Sequence, residues 1–179
     1  MYGLVNQAIE ELVTESGGEA LWEAVLREAQ VDVPAFISNE PYDDSISYRL
    51  VGAAAQLLAL PVDEVLMRLG RHWVLRTARE NYGPLMAHAG KTLLEFMRNL
   101  PNFHQRVKLM FPLLQPPRFE VREQGPRLLL LVYRSHREGL APFVVGLMQG
   151  LGTMYGTPVT VTQTVWRSTG DHDEFLVAW

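Results

Sequence analysis

Apolar residues recur at three- and four-residue intervals through about the first two-thirds of the chain, which is the spacing of amphipathic helices. The pair Gly17-Gly18 interrupts the first run and predicts a break in the helix there. Later runs are predicted to stop at Pro61 and at the pair Pro116-Pro117, because proline lacks the N–H that a helix needs. The apolar positions of these runs are Val5, Ile9, Leu12, Val13, Leu21, Trp22, Val25, Leu26, Leu50, Val51, Ala54, Leu57, Leu58, Val65, Leu66, Leu69, Trp73, Leu93, Leu94, Phe96, Met97, and then Phe103 through Leu114.

The last third of the chain has the pattern of short strands. Runs from Phe119 to Arg122 and from Arg127 to Tyr133 flank a turn at Gln124-Gly125-Pro126. A third strand is predicted around Val159 to Trp166, and a fourth from Phe175 to Trp179. Strands joined by short turns of this kind favour an antiparallel sheet.

One further apolar helix, from Gly139 to Tyr155, is predicted within the region of strands. Its small residues Gly146 and Gly150 would let another element approach closely. The expected fold is therefore α+β, with a helical N-terminal lobe followed by a C-terminal four-stranded antiparallel sheet that carries helices.

Composition narrows the classes of function. The 179 residues suit one domain, and 16 basic against 20 acidic side chains give a net charge of −4, which argues against nucleic-acid binding. The absence of cysteine excludes disulfides, thiolate catalysis and Cys-ligated metals. No Lys or Arg precedes Arg27, and the longest apolar stretch, Gly139 to Gly152, is too short to span a membrane. We expect a cytoplasmic protein without a membrane segment.

His104 lies on the apolar face of its predicted helix, because Leu100, Phe103, Val107 and Phe111 recur around it at helical spacing. A lone histidine in such a position is more often a hydrogen-bonded core residue than a ligand. A neutral imidazole in an apolar pocket is nevertheless what haem iron requires as a proximal ligand. Both interpretations stay open on this pattern alone.

The stretch from Tyr133 to Arg137 carries polar side chains at every second position. Alternation along a strand would point Tyr133, Ser135 and Arg137 to one side if extended structure persists through Arg137. Two hydroxyl groups and a guanidinium form a good receptor for carboxylates. The alternative is an exposed strand end with a solvated arginine. Haem requires both an axial ligand and clamps for two propionates, and the chain offers one of each.

Motifs of catalysis are missing from the sequence. The chain has no GxSxG, P-loop or GxGxxG motif, and Ser135 and His136 are neighbours without a third triad member. The other histidines lack partners at metal-ligand spacing. These are His72, His88, His136 and His172.

Several stretches form a recognisable set. They are Met1-Tyr2-Gly3-Leu4-Val5-Asn6, Asn99-Leu100-Pro101-Asn102-Phe103-His104, Pro116-Pro117, Tyr133-x-Ser135-x-Arg137, Glu138-Gly139-Leu140-Ala141-Pro142 and the helix around Gly146. With these the sequence resembles, from first residue to last, the H-NOX family of haem nitric oxide/oxygen binding domains, which are related to the sensor domain of soluble guanylate cyclase. Pro101 departs from the pattern, since relatives often carry Asp there.

The resemblance implies roles for individual residues. His104 would be the proximal ligand to the iron of haem b, buried between the lobe and the sheet. Tyr133, Ser135 and Arg137 would hold the propionates, and Pro117 would press on the porphyrin and distort it. The distal pocket would be formed by four side chains, namely Val5, Ile9, Trp73 and Phe143.

The resemblance also implies a function. We expect one domain over residues 1–179, with a helical lobe over about 1–60 and the haem-ligating helices and sheet over about 61–179. It would be a gas sensor for nitric oxide and CO, without enzymatic activity, in which weakening of the iron–histidine bond relaxes the helix of His104. The signal would pass to a partner such as a histidine kinase or a cyclic-dinucleotide enzyme. Two alternatives remain: a haem oxygen-binding protein, or a haem-free module that binds carboxylates or lipids.

Overall fold

The computed structural model describes residues 1–111 and 114–179. These residues form six α-helices, four β-strands, a π-helical segment and one short 3-10 turn. In chain order the elements are α1 (Gly3–Glu28), α2 (Asp44–Leu57), α3 (Val62–His72), the π-helical segment (Trp73–Ala78), α4 (Arg79–Ala89), α5 (Leu93–Met110), β1 (Arg118–Gly125), β2 (Leu128–Arg134), α6 (Ala141–Met154), β3 (Thr160–Val165), the 3-10 turn (Arg167–Thr169) and β4 (Asp173–Ala178).

The predicted break in the first helix is confirmed. Gly17 and Gly18 have φ values of −159° and 75° inside α1, and neither has helical backbone angles. The positive φ of Gly18 lies in the region that only glycine adopts readily. Helix α1 therefore consists of two helical pieces joined by a kink.

The prediction that Pro116-Pro117 ends the helix of His104 is wrong. Helix α5 contains Pro101 and ends at Met110, and Phe111 has φ −129° and ψ 84°, outside the helical region. Phe111 precedes Pro112 in the sequence, and a residue before proline is disfavoured in helical geometry. Residues 112 and 113 of the predicted run lie outside the described residues.

The stretch after α3 was not predicted by the apolar pattern. A π-helical segment begins at Trp73, and α4 follows it directly. The wider turn of a π-helix rotates the side chains that follow relative to a regular helix, so a 3.6-residue template loses the pattern there. Such segments occur frequently at functional sites.

The four-stranded antiparallel sheet is confirmed, with the strand order β1-β2-β4-β3. Strand β2 is one of the two central strands. Its Tyr133 pairs with Phe119 of β1 and with Asp173 of β4. The 3-10 turn lies between β3 and β4, close to the end of β2 from which the chain continues toward α6.

Helix α6 packs tightly against α3, as its small residues predicted. A Cβ atom added to Gly146 would lie 2.1 Å from the carbonyl oxygen of Met67, and one added to Gly70 would lie 2.3 Å from that of Phe143. A Cβ at Gly150 would lie 2.9 Å from Cβ of Val74. Glycine thus allows backbone-to-backbone contact at this crossing.

Two hydrophobic cores result. One joins α1, α2 and α3, and the other joins α4, α5, the sheet and α6, while Trp73 packs against both. Within residues 1–111 and 114–179 no single helix has the length and apolar composition to cross a membrane, although α2 and Val62–Ala89, bent by 113°, pass that test as a pair.

Candidate functional site

A cavity of about 430 Å³ lies between the helical lobe and the sheet. Its volume falls within the range of about 300–1,000 Å³ that is usual for cofactor pockets. Most of its walls are apolar side chains, and we call the part lined by Tyr133, Ser135 and Arg137 its polar end. The cavity is lined by His104, Tyr133, Ser135 and Arg137, which the sequence pattern singled out, and by the five residues that the family resemblance added: Val5, Ile9, Trp73, Pro117 and Phe143.

His104 faces this cavity from α5. Its ring Nδ1 lies 3.0 Å from the carbonyl oxygen of Leu100, which can only accept a hydrogen bond, so Nδ1 carries the proton. Burial lowers the pKa of His104, although the hydrogen bond to Leu100 acts in the opposite direction. The ring is therefore neutral at physiological pH, and its Nε2 keeps a free lone pair.

This arrangement is the one in which histidine binds metals well. A metal-ligating imidazole usually donates its other N–H to a carbonyl or carboxylate, which fixes the tautomer and the orientation of the ring. The ring of Phe119 packs beside His104 with the centroids 5.1 Å apart and restricts its rotation. Within the described part of the chain no three His, Asp or Glu side chains are grouped to hold a metal ion. A single imidazole suits an axial position on a metal that a macrocycle already holds.

Tyr133 and Ser135 lie at the polar end of the cavity. Strand β2 ends at Arg134 and the chain bends after it, so the extended structure through Arg137 on which their alignment was predicted is absent. Ser135 and Arg137 line the cavity all the same, because the bend turns the backbone back toward it. The backbone N–H of Arg137 donates to Oγ of Ser135 at 3.1 Å. Burial raises the pKa of Tyr133, so its hydroxyl stays protonated as a donor.

Arg137 is not a solvated arginine. Its side chain is 16% exposed, and it donates from Nε and Nη2 to the two carboxylate oxygens of Asp44 at 2.7 and 3.2 Å. Its Nη1 donates to the carbonyl oxygen of Gln115 at 3.0 Å. The amine of Met1 also donates to the carboxylate of Asp44.

Asp44 was missed by sequence reasoning. It lies at the start of α2, far from Arg137 in the sequence, in a position where an acidic residue is ordinary for a helix N-terminus. Burial raises the pKa of Asp44, but the hydrogen bonds and charges of Arg137 and the Met1 amine lower it more, and the net value is below the ordinary one. The carboxylate is therefore ionised and neutralises part of the charge at the polar end.

Another part of the cavity wall is apolar. Ile9 of α1 is buried, and Val5 lies one turn before it. Trp73 begins the π-helical segment, and Phe143 lies in the first turn of α6 beside the close contact with Gly70. None of these side chains except Trp73 carries a hydrogen-bond donor.

Pro117 lies on the cavity wall immediately before β1. Its rigid ring is half-buried and limits the backbone at the start of the sheet. The site as a whole fits an iron porphyrin: an apolar cavity, a neutral imidazole with one free lone pair, and a hydroxyl and guanidinium set suited to carboxylates.

The chain is similar in sequence to a known family and in fold to solved structures. A model of the family described as Haem-NO-binding matches residues 2–163. Among solved structures, an H-NOX protein from S. oneidensis in the Fe(II)NO ligation state has a TM-score of 0.89 at 18% identity, covering 99% of this chain and 98% of that one. An Fe(II) unliganded H-NOX protein from K. algicida has a TM-score of 0.84 at 20% identity, covering 99% and 96%. The fold is thus shared with these proteins.

Curated relatives are longer proteins. Soluble guanylate cyclase gcy-31 of Caenorhabditis elegans is 26% identical over 162 residues, which are 90% of this chain and 23% of the relative. Soluble guanylate cyclase 89Da of Drosophila melanogaster is 20% identical over 148 residues, which are 83% of this chain and 22% of the relative. The chain therefore spans about a quarter of the length of the relatives it matches.

Proposed function

The chain belongs to the Haem-NO-binding family of haem-based gas sensor domains, and from that premise we propose that it binds nitric oxide and CO at haem b and signals to a partner protein. One observation carries the proposal. Four residues chosen from the sequence pattern and five implied by the family resemblance line a single cavity, although they are spread over the chain from Val5 to Phe143. Such convergence is expected if those residues hold one ligand.

In this proposal His104 would supply a ligand to the haem iron. Its neutral Nε2 is available toward the cavity, while Nδ1 is held by the Leu100 carbonyl. Tyr133, Ser135 and Arg137 hold the haem propionates, with the guanidinium shared between Asp44 and the incoming carboxylate. Bound iron protoporphyrin would supply an iron that can bind a small gas.

The apolar distal wall supports the choice of gas. Bound oxygen draws negative charge and is stabilised by a hydrogen-bond donor, whereas nitric oxide and CO bind well without one. Val5, Ile9 and Phe143 provide no donor. We therefore assign nitric oxide and CO to this site in preference to oxygen.

Helix α5 is suited to transmit the signal. It carries His104, and its Arg98 forms a two-point ion pair with Glu123 of β1, with distances of 2.7 and 2.8 Å. A shift of His104 would therefore act on the sheet as well as on the helix. We propose a single sensor domain over residues 1–179, cytoplasmic and without catalytic activity, whose partner is a histidine kinase or a cyclic-dinucleotide enzyme.

An absorption spectrum of the purified protein tests the proposal. We expect an intense Soret band, a shifted band when nitric oxide or CO is added to the reduced protein, and no stable oxygen complex in air. A protein that takes up no haem, even when haem is supplied, would overturn the proposal. Binding of a fatty acid by such a haem-free protein would instead support a carboxylate- or lipid-binding module.

A further inference from the structure

The loop after β2 is held from outside the cavity by Arg167. The Nη1 atom of this arginine donates to the carbonyl oxygens of Ser135 and Arg137, the latter at 3.0 Å. Its Nη2 lies 4.0 Å from a carboxylate oxygen of Glu138. One side chain therefore approaches three residues of the loop, Ser135, Arg137 and Glu138. Arg167 is itself outside the set of described residues that line the cavity.

The position of Arg167 is fixed by a buried carboxylate. Asp173, which is 7% exposed, accepts hydrogen bonds from the backbone N–H of Arg167 at 3.0 Å and from Nε2 of Gln163 at 2.8 Å. Asp173 pairs with Tyr133 across β2 and β4. The turn that presents Arg167 is thus anchored directly beside the strand that leads into the loop.

The loop needs such a support. Residues after Arg134 leave the sheet, and backbone carbonyls without a regular partner are costly when they are partly buried. Both carbonyls accept from Nη1, whose two N–H groups have directions fixed in the plane of the guanidinium, whereas the N–H groups of an ammonium rotate freely about its C–N bond. The carbonyls of Ser135 and Arg137 are turned toward Arg167. The side chains of the same two residues, the Ser135 hydroxyl and the Arg137 guanidinium, are thereby held at the cavity.

We propose that Arg167 is a positioning residue for the carboxylate-binding side chains Ser135 and Arg137. It does not touch the bound carboxylates; it orders the backbone from which those side chains extend. The inference rests on the proposed function, because it concerns how the same site holds haem propionates. Arg167 lies outside the stretches in which the chain resembles the family.

The test compares Arg167→Ala with Arg127→Ala, an exposed arginine at the opposite end of β2. Haem transfer to apomyoglobin should be about tenfold faster from Arg167→Ala than from wild type, which corresponds to about 1.4 kcal/mol. Arg127→Ala should release haem at the wild-type rate. Arg167→Lys, which keeps the charge but not the fork, should be intermediate and serves if the alanine variant does not fold.

Haem dimethyl ester distinguishes the loss of propionate binding from a general weakening of the haem pocket, since its esterified propionates carry no charge. The ester should leave Arg167→Ala and wild type at equal rates. Equal acceleration for haem and ester, or no acceleration for either, would overturn the role of Arg167.

Amide hydrogen exchange in the haem-free protein gives a second readout. Residues 134–140 should exchange faster in Arg167→Ala than in wild type, while β1 should be unchanged. Wild-type exchange in this loop would overturn the proposal. A wild-type protein that takes up no haem would overturn the proposed function instead, and the exchange rates would still decide whether Arg167 orders the loop.

Discussion

Asp44 and Arg137 are joined through both carboxylate oxygens, at 2.7 and 3.2 Å, across 93 positions of sequence. The pair connects the start of α2 to the loop after β2, and the Met1 amine contacts the same carboxylate. A ligand carboxylate that binds Arg137 must therefore share the guanidinium with Asp44. The ion pair couples the helical lobe to the polar end of the cavity.

Asp44→Asn should destabilise the haem-free protein in a pH-dependent way. The pKa of Asp44 is lowered in the folded state, so its ionised form stabilises the folded protein. This stabilisation is present in full at pH values above the ordinary aspartate pKa of about 3.9. That contribution is lost as the pH falls through the lowered value. The difference in unfolding free energy from wild type should be about 1 kcal/mol at neutral pH and should shrink below about pH 4.

Urea unfolding at several pH values measures this difference. Asp32→Asn removes an exposed carboxylate and is the matched control, with a small difference expected at every pH. A destabilisation by Asp44→Asn that stays constant from neutral to acidic pH would show that the ion pair is not its source.

His104→Gly should abolish stable haem retention, because it removes the neutral imidazole that lines the cavity. Added imidazole should restore the Soret band by occupying the space of the missing ring. His88→Ala is a close control, since His88 also places Nδ1 near a carbonyl four residues earlier, at 2.6 Å from that of Pro84, but is exposed. An unchanged ferrous spectrum of His104→Gly without imidazole would assign the ligand to another residue.

The sequence predicted most of the fold because its signals there are local. The strand patterns and the Gly17-Gly18 break each act within their own stretch of chain, and the structure confirms them. The small residues of α6 predicted a close approach, but only the folded chain shows that the partner is α3. The π-helical segment escaped because it breaks the 3.6-residue period. The end of α5 was predicted at the proline pair, although Pro112 already disfavours helical geometry at Phe111.

The candidate site was predictable only in part, because some of its contacts join residues that are far apart in the sequence. His104 and the stretch from Tyr133 to Arg137 are visible as local patterns, and they do meet in one cavity. Asp44 and Arg167 are ordinary charged residues in their own neighbourhoods, and only the folded chain brings them to the loop. Side chains that support a site through long-range contacts leave little trace in spacing.

Gly146→Ala should destabilise the protein by about 1–3 kcal/mol, the usual cost of overpacking a core. Its new Cβ would meet backbone atoms of Met67, which cannot move aside as a flexible side chain would. Chemical denaturation measures the loss. In contrast, Gly52→Ala lies in the interior of α2, where an added Cβ meets nothing within 4 Å. That control should be neutral or up to about 1 kcal/mol more stable, and equal destabilisation by both variants would contradict the packing argument.

Pro117→Ala should make the cavity wall before β1 less rigid. If Pro117 presses on the porphyrin, the variant should hold a flatter macrocycle, and its redox potential should differ from that of wild type. Resonance Raman bands of out-of-plane modes and a redox titration measure these two effects. Pro116→Ala is the neighbouring control, expected to change both less. Unchanged porphyrin geometry in Pro117→Ala would count against the role of this ring.

Phe143→Tyr should introduce measurable oxygen affinity. The substitution adds a hydroxyl donor to an apolar distal wall, and a donor stabilises the partial negative charge on bound oxygen. Nitric oxide and CO depend less on such a donor, so their binding should change little. Oxygen and CO titrations of the reduced protein, followed by absorption, measure the ratio of the two affinities.

Trp73→Phe tests the remaining donor of the distal wall. The indole N–H of Trp73 is the single donor among the four distal side chains, and Trp73 lies where the two hydrophobic cores meet. If this N–H does not serve the bound gas, Trp73→Phe should leave the wild-type pattern intact, with nitric oxide and CO bound and no stable oxygen complex. A stable oxygen complex in wild type that disappears in Trp73→Phe would contradict the assignment of the site to nitric oxide and CO. It would identify Trp73 as an oxygen-stabilising donor.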